Sequence, residues 1–228
     1  MEEIARKQGV DCWIDSTPTN IPHMGRIHRD FPEARFVHII RDPRNVALSL
    51  QARGWARPLP WDKNRPLLAS GLYWEWIVRK GRKYGLTLGP FYTEVRYEEL
   101  INQSREALSK LSRFLQHDLD YDCIRQAGLR NAHLTSFREE LQQGHFMPVE
   151  RWKNRFPSDQ LARFEELIGA YMQELNYALS TAAPGEDSLS ARAMRLEYNL
   201  YHECKQWAKV KTPLSRLILD YSAILIDK

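Results

Sequence analysis

The stretch Ala34–Ser49, ARFVHIIRDPRNVALS, decides how the rest of the chain is read. Phe36, Val37, Ile39 and Ile40 form a near-continuous apolar run. Such a run predicts a strand buried on both faces, as in a parallel sheet. Arg41 closes that strand. Pro43 fits the first turn of a helix, where its missing N–H is not needed, and Asn45 to Gln51 continue it. An arginine therefore stands at the carboxyl end of a strand, the edge where ligands of open α/β sheets gather. The planar fork of Arg41 suits a phosphate. Ser49, near the second turn of the following helix, offers a hydroxyl to the same group, and the helix N-terminus adds free N–H groups. Taken alone, the pair leaves a structural ion pair open as the other role for Arg41.

Working outward, residues 11–15 read as a short strand and residues 21–30 as a helix. Strand, helix and strand would then form a right-handed crossover. Downstream, Leu67 to Tyr84 is helical, with Leu68, Leu72 and Trp76 at spacing four. Phe91 to Tyr97 alternates like a strand. Ser104 to Leu115 is an amphipathic helix, and so is Ser158 to Tyr177, with Ser158 as the expected N-cap. The fold class expected is α/β, a parallel sheet flanked by helices with a helical C-terminal region. Residues 1–179 are read as the α/β domain and 180–190 as a linker of small and turn-forming residues. Residues 191–228 are read as a helical appendage, one helix over 191–207 and a second after Pro213.

Composition sets the outer bounds. The 228 residues are 43% hydrophobic and 27% charged, the balance of a globular protein. No apolar run reaches the roughly 18 residues of a membrane helix, and residues 1–8 lack an apolar signal core. Cys12, Cys123 and Cys204 fit neither a zinc spacing nor a disulfide framework. They are expected as buried thiols, and a cytoplasmic location is the simplest setting. Net charge is +4. Between Arg41 and Pro66 six cations face only Asp42 and Asp62, and Arg79, Lys80, Arg82 and Lys83 form a second cluster. Either cluster suits an anionic ligand or nucleic acid, or is simply a solvated face.

The full string is more specific than its parts. Arg41-Asp-Pro-Arg-Asn-Val-Ala-Leu-Ser49 resembles the 3′-phosphate-binding segment of sulfotransferases that use 3′-phosphoadenylyl sulfate (PAPS). Phe31 to Phe36 is similar to that family's FPDARF lead-in, and Arg96-Tyr-Glu-Glu-Leu100 to its YEDL segment. Arg151-Trp152, followed by the helix ending at Tyr177, is similar to its C-terminal region. The likeness runs from about residue 11 to 177 with the motifs in order.

That resemblance implies a P-loop-type sulfotransferase fold and transfer of a sulfuryl group from PAPS to a hydroxyl or amine, without a metal. Arg41 and Ser49 would hold the 3′-phosphate, Tyr97 would lie near the nucleotide, and Arg151 would close over it. Tyr97 also fits a buried strand aromatic, and Arg151 a surface ion pair. The acceptor would be a small molecule, a carbohydrate or a protein, with no nucleic acid partner. The family's phosphosulfate loop has no counterpart in residues 1–10, so the domain is expected to be N-terminally incomplete. A non-catalytic nucleotide-binding remnant is the alternative. Ser16 and Pro18 stand where relatives carry a lysine or a histidine. His23 and Asp15 fit capping roles better than catalysis, so no catalytic base is assigned. Trp55 and Trp61, with Arg53 and Arg57, would either contact an acceptor or pack on the domain.

Overall fold

A computed structural model describes residues 7, 9–10, 12–55, 57–130, 148–181 and 188–212. Its architecture is mostly helical around a small parallel two-stranded sheet. Strand β1 is Phe36–Ile40 and β2 is Tyr92–Arg96. Phe36 lies opposite Tyr92, and Ile40 opposite Arg96. Parallel pairing needs a long crossover. Two helices supply it, α2 (Pro43–Ala52) and α3 (Pro66–Leu88). Helix α1 (Met24–Asp30) precedes the sheet. Helices α4 (Tyr97–Asn102), α5 (Ser104–Leu115) and α6 (Tyr121–Arg130) follow it. Then come α7 (Trp152–Arg155), α8 (Ser158–Glu174) and α9 (Leu189–Lys211).

Helix α3 is the hub. Its Leu67, Leu68, Leu72, Trp74 and Val78 share one core with Phe164, Leu167, Ile168, Tyr171 and Met172 of α8. Each such side chain contributes roughly 1.5–3 kcal/mol on burial. Close approach is possible because α3 carries glycines where neighbours press in. A Cβ on Gly71 would lie 2.5 Å from the Phe164 ring, and one on Gly81 would lie 2.5 Å from Cε1 of His38. Gly85 leaves the same kind of room for the Tyr92 ring. The sheet thus lies directly on the helix backbone.

Several expectations change. Residues 12–17 form no strand. The Asp15 carboxylate instead accepts from the Thr17 N–H at 2.9 Å and the Asn20 amide at 2.9 Å, folding the chain into the 3-10 turn Pro18–His23. The crossover expected from that first strand is therefore absent among the described residues. Strand β1 is buried on one face only. His38 and Ile40 face α3, while Ile39 on the other side is 53% exposed. Helix α8 has Pro157, not Ser158, at its N-cap position, and no side chain caps it. Cys12, Cys123 and Cys204 are exposed free thiols rather than buried ones.

The C-terminal region is integrated at both ends of the expected linker. Ser180 and Thr181 bond to Glu165, and Ser188 caps α9 by accepting from the Ala191 N–H. Ala191, Met194 and Tyr198 of α9 belong to the core, and the Tyr198 hydroxyl accepts from the Leu59 N–H at 3.0 Å. The second helix expected after Pro213 lies outside the described residues.

Candidate functional site

The carboxyl edge of the two strands carries Arg41 beyond β1 and Arg96 at the end of β2. Asp42 accepts from the Arg44 N–H and caps α2, with Pro43 in the first turn as the sequence predicts. The Arg41 carbonyl accepts from the Trp74 indole at 3.1 Å. The Arg41 guanidinium lies over the Tyr97 ring, 4.4 Å from its centroid. Its Nη2 donates to the Pro148 carbonyl at 2.6 Å, while its Nε is buried with no partner among the described residues. No ion pair reaches Arg41 among those residues either, so the structural ion-pair role is not seen there. A neutral carbonyl is a weaker partner for guanidinium than an anion.

Tyr97 is not a strand aromatic. It is the first residue of α4, immediately after β2 ends, and sits half-buried beneath Arg41. Arg151 arrives from far along the chain. Asn45 on α2 donates its amide to the Val149 carbonyl at 2.5 Å and accepts from the Trp152 N–H at 3.1 Å. That two-sided clamp pins residues 149–152, and so places Arg151 beside the segment that Arg41 touches. Ser49 lies four residues beyond Asn45 and therefore on the same face of α2, one turn further along. The geometry thus joins Arg41 directly to Tyr97, while Ser49 lies further along α2 and Arg151 on the turn that Asn45 holds.

Around them lies a buried ionic framework that sequence reasoning missed. Arg44 is 3% exposed. It pairs with Asp42 at 2.7 Å and Glu165 at 2.8 Å, and lies 3.6 Å from the Trp152 ring centroid. Burial raises the Glu165 pKa, but hydrogen bonds from Thr181 and Ser180 outweigh it and hold the carboxyl below its ordinary range. Glu98 accepts from the Asp42 N–H at 2.9 Å and the Tyr177 hydroxyl at 3.1 Å. Burial and the nearby Glu98 charge push the Tyr177 phenol well up. Arg96 stacks on Tyr177 at 4.1 Å, and a shallow depression lined by Arg96, Glu98 and Asn102 opens beside it. The sequence motifs held Asp42, Arg44, Glu98 and Tyr177 in separate strings, and nothing in them joined these residues to one another or to Glu165.

The remaining candidates separate. Asp15 caps its turn, and hydrogen bonds from Thr17 hold its carboxyl below the ordinary range. His23 ends the 3-10 turn without a side-chain cap, and burial with nearby Lys209 lowers its pKa. Trp55 and Trp61 are 43% and 67% exposed, so neither belongs to the buried core. In the second basic cluster Arg79 pairs with Glu75, Lys80 with Glu203, and Arg82 with Glu94 and Glu174. Those carboxylates cancel most of the cluster's field. Among the described residues no group of histidine, cysteine or carboxylate side chains is arranged to hold a metal, and no helix is long and apolar enough to cross a membrane.

Parallel strands, an interposed helical crossover and a cation at their carboxyl edge define an α/β protein with a sulfotransferase-like fold. The chain belongs to the sulfotransferase family, whose sequence model matches residues 1–122, more than half of its length. The matched span includes Arg41, Ser49 and Tyr97, and Arg151 lies beyond it. The comparison with curated proteins gives no match. Family membership supports sulfotransfer as the general activity.

Proposed function

We propose that the chain transfers a sulfuryl group from PAPS to a hydroxyl or amine acceptor. The observation that carries this reading is the state of Arg41. Its guanidinium lies 4.4 Å from the Tyr97 ring centroid, with a buried Nε unpartnered among the described residues and one Nη on a mere carbonyl. In this reading Arg41 and Ser49 take the 3′-phosphate, Tyr97 forms the floor beneath Arg41, and Arg151 closes from the turn that Asn45 clamps. Arg44, already saturated by Asp42 and Glu165, holds the start of α2 in place and is not available to the ligand.

In the reaction the acceptor oxygen or nitrogen bonds to sulfur while the bond from sulfur to the 5′-phosphate oxygen breaks. The acceptor proton is lost, and 3′,5′-bisphosphorylated adenosine departs. The residues named here contribute binding and positioning, with charge stabilisation by fixed donors. No residue is assigned as the base that removes the proton. Exposed Trp55 and Trp61, with Arg53 over Trp55 at 5.2 Å, offer stacking surface for a sugar or ring acceptor. Cytoplasmic residence and a partner set without nucleic acid belong to the same reading.

The test is turnover with sulfur-labelled PAPS against sugar, phenol and amine acceptors, run beside Arg41→Ala. Label transfer that falls at least tenfold in the variant supports the proposal. Tight binding of the bisphosphate product without label transfer would instead identify a nucleotide-binding protein that lacks the transfer step.

A further inference from the structure

Helix α9 buries one face and leaves the opposite one apolar. Ala191, Met194 and Tyr198 point into the core. At 100° per residue, Leu189, Leu196, Leu200 and Trp207 fall within about 20° of a single line on the other side. These four are 84%, 60%, 55% and 63% exposed. A solvent face of a helix is ordinarily polar, so an apolar line along its centre marks a contact surface.

The line is also regular. Leu189, Ala193, Leu196, Leu200, Glu203, Trp207 and Val210 follow one another at spacings of four and three throughout, which is the seam of a two-stranded coiled coil. The one polar seam residue, Glu203, is already compensated within the chain. It accepts from the Trp76 indole at 2.9 Å and pairs with Lys80 at 2.8 Å. Charges beside the seam indicate what pairs with it. In a parallel two-stranded pair, the residue just before one seam position meets the residue five further along in the other helix. That rule brings Arg192 against Glu197 of a second copy, and Glu197 against its Arg192. Neither side chain has an ion pair within its own chain among the described residues.

We infer that α9 is a homodimer interface, in which the exposed seam packs in parallel register on the same helix of a second copy and two Arg192–Glu197 pairs set the register. The two domains then lie on opposite sides of the helix pair, because each core-facing stripe points away from the seam. The inference is independent of the sulfuryl-transfer reading.

Sedimentation velocity of the full chain over a concentration series is the test. The expected result is a monomer–dimer equilibrium. Leu200→Glu is expected to raise the dissociation constant about a hundredfold or more, since a central apolar contact is lost in both copies. Its far-UV circular dichroism should be unchanged, because Leu200 faces away from the core. Arg192→Glu alone is expected to weaken the dimer about tenfold by setting two like-charge contacts across the seam, and Arg192→Glu with Glu197→Arg to restore it. A chain that stays monomeric throughout overturns the inference, as does a dimer indifferent to Leu200→Glu. Failure of the reversed pair to restore the dimer overturns the parallel register. A monomer that co-sediments with vesicles of phosphatidylcholine and phosphatidylserine through Leu200 overturns it in favour of a membrane surface.

Discussion

Replacing Glu165 by alanine should cost more stability than any single apolar deletion around the site. Its carboxylate is fully buried. It receives five donors, from the Arg44 guanidinium and from the backbone N–H and hydroxyl of both Ser180 and Thr181. Alanine removes one of the two carboxylates that balance Arg44, itself 3% exposed. Breaking a buried pair from one side costs about 3–5 kcal/mol, because the remaining charge stays desolvated. The freed N–H groups of Ser180 and Thr181 add about 1 kcal/mol each if water does not reach them. A loss of about 5–7 kcal/mol is a large part of the roughly 5–15 kcal/mol that holds a domain of this kind together. Glu165→Gln keeps the shape and loses the charge, and should fall between the two. Urea unfolding at pH 7, followed by circular dichroism, measures both variants. A loss below about 1 kcal/mol for Glu165→Ala would refute the claim that Arg44 depends on this carboxylate.

Two further outcomes follow from the packing. Gly81→Ala places a methyl 2.5 Å from the His38 ring, so either α3 or the sheet must shift, and a destabilisation of about 1–3 kcal/mol should appear in thermal unfolding. His202, enclosed by Tyr73, Trp76, Tyr198 and Tyr201, has its pKa driven down to about 4 by burial, with nearby Lys205 adding to the effect. A histidine with a folded pKa below its unfolded value takes up its proton more readily when unfolded. Stability therefore falls as pH drops from about 6.5 towards 4, by up to about 3 kcal/mol from this group. His202→Phe should flatten that part of the profile in urea titrations between pH 4 and 7.

Much of the site was legible because its parts sit within one local string. Strand, arginine, proline and helix follow in order between Phe36 and Ala52, and each step is decided by neighbours in sequence. The parallel sheet was also legible from the apolar run and the alternation at 91–97. The depth of burial was not. Ile39 looks like a core residue in the run, yet its exposure depends on what covers that face, which no local pattern records. Residues 11–15 mimic a strand through Trp13 and Ile14, but Asp15 turns the chain by bonding Thr17 and Asn20 before any pairing. Arg44 reads as one more surface cation in a basic stretch. Its two carboxylate partners lie 2 and 121 residues away, and only the distant one explains why it is buried. The glycines of α3 likewise acquire meaning only when His38, Tyr92 and Phe164 are seen against them.

The central claim is that Arg41 recognises a 3′-phosphate. Calorimetric titration of 3′,5′-bisphosphorylated adenosine and of adenosine 5′-monophosphate, at one fixed salt concentration, isolates that phosphate. The intact chain should prefer the bisphosphate by about 150-fold or more, the worth of two charge-assisted hydrogen bonds to guanidinium at about 1.5 kcal/mol or more each. Arg41→Ala should lose most of that preference, keeping only the few-fold that the Ser49 hydroxyl contributes. Equal affinities in the intact chain, or a preference undiminished in Arg41→Ala, would contradict the claim.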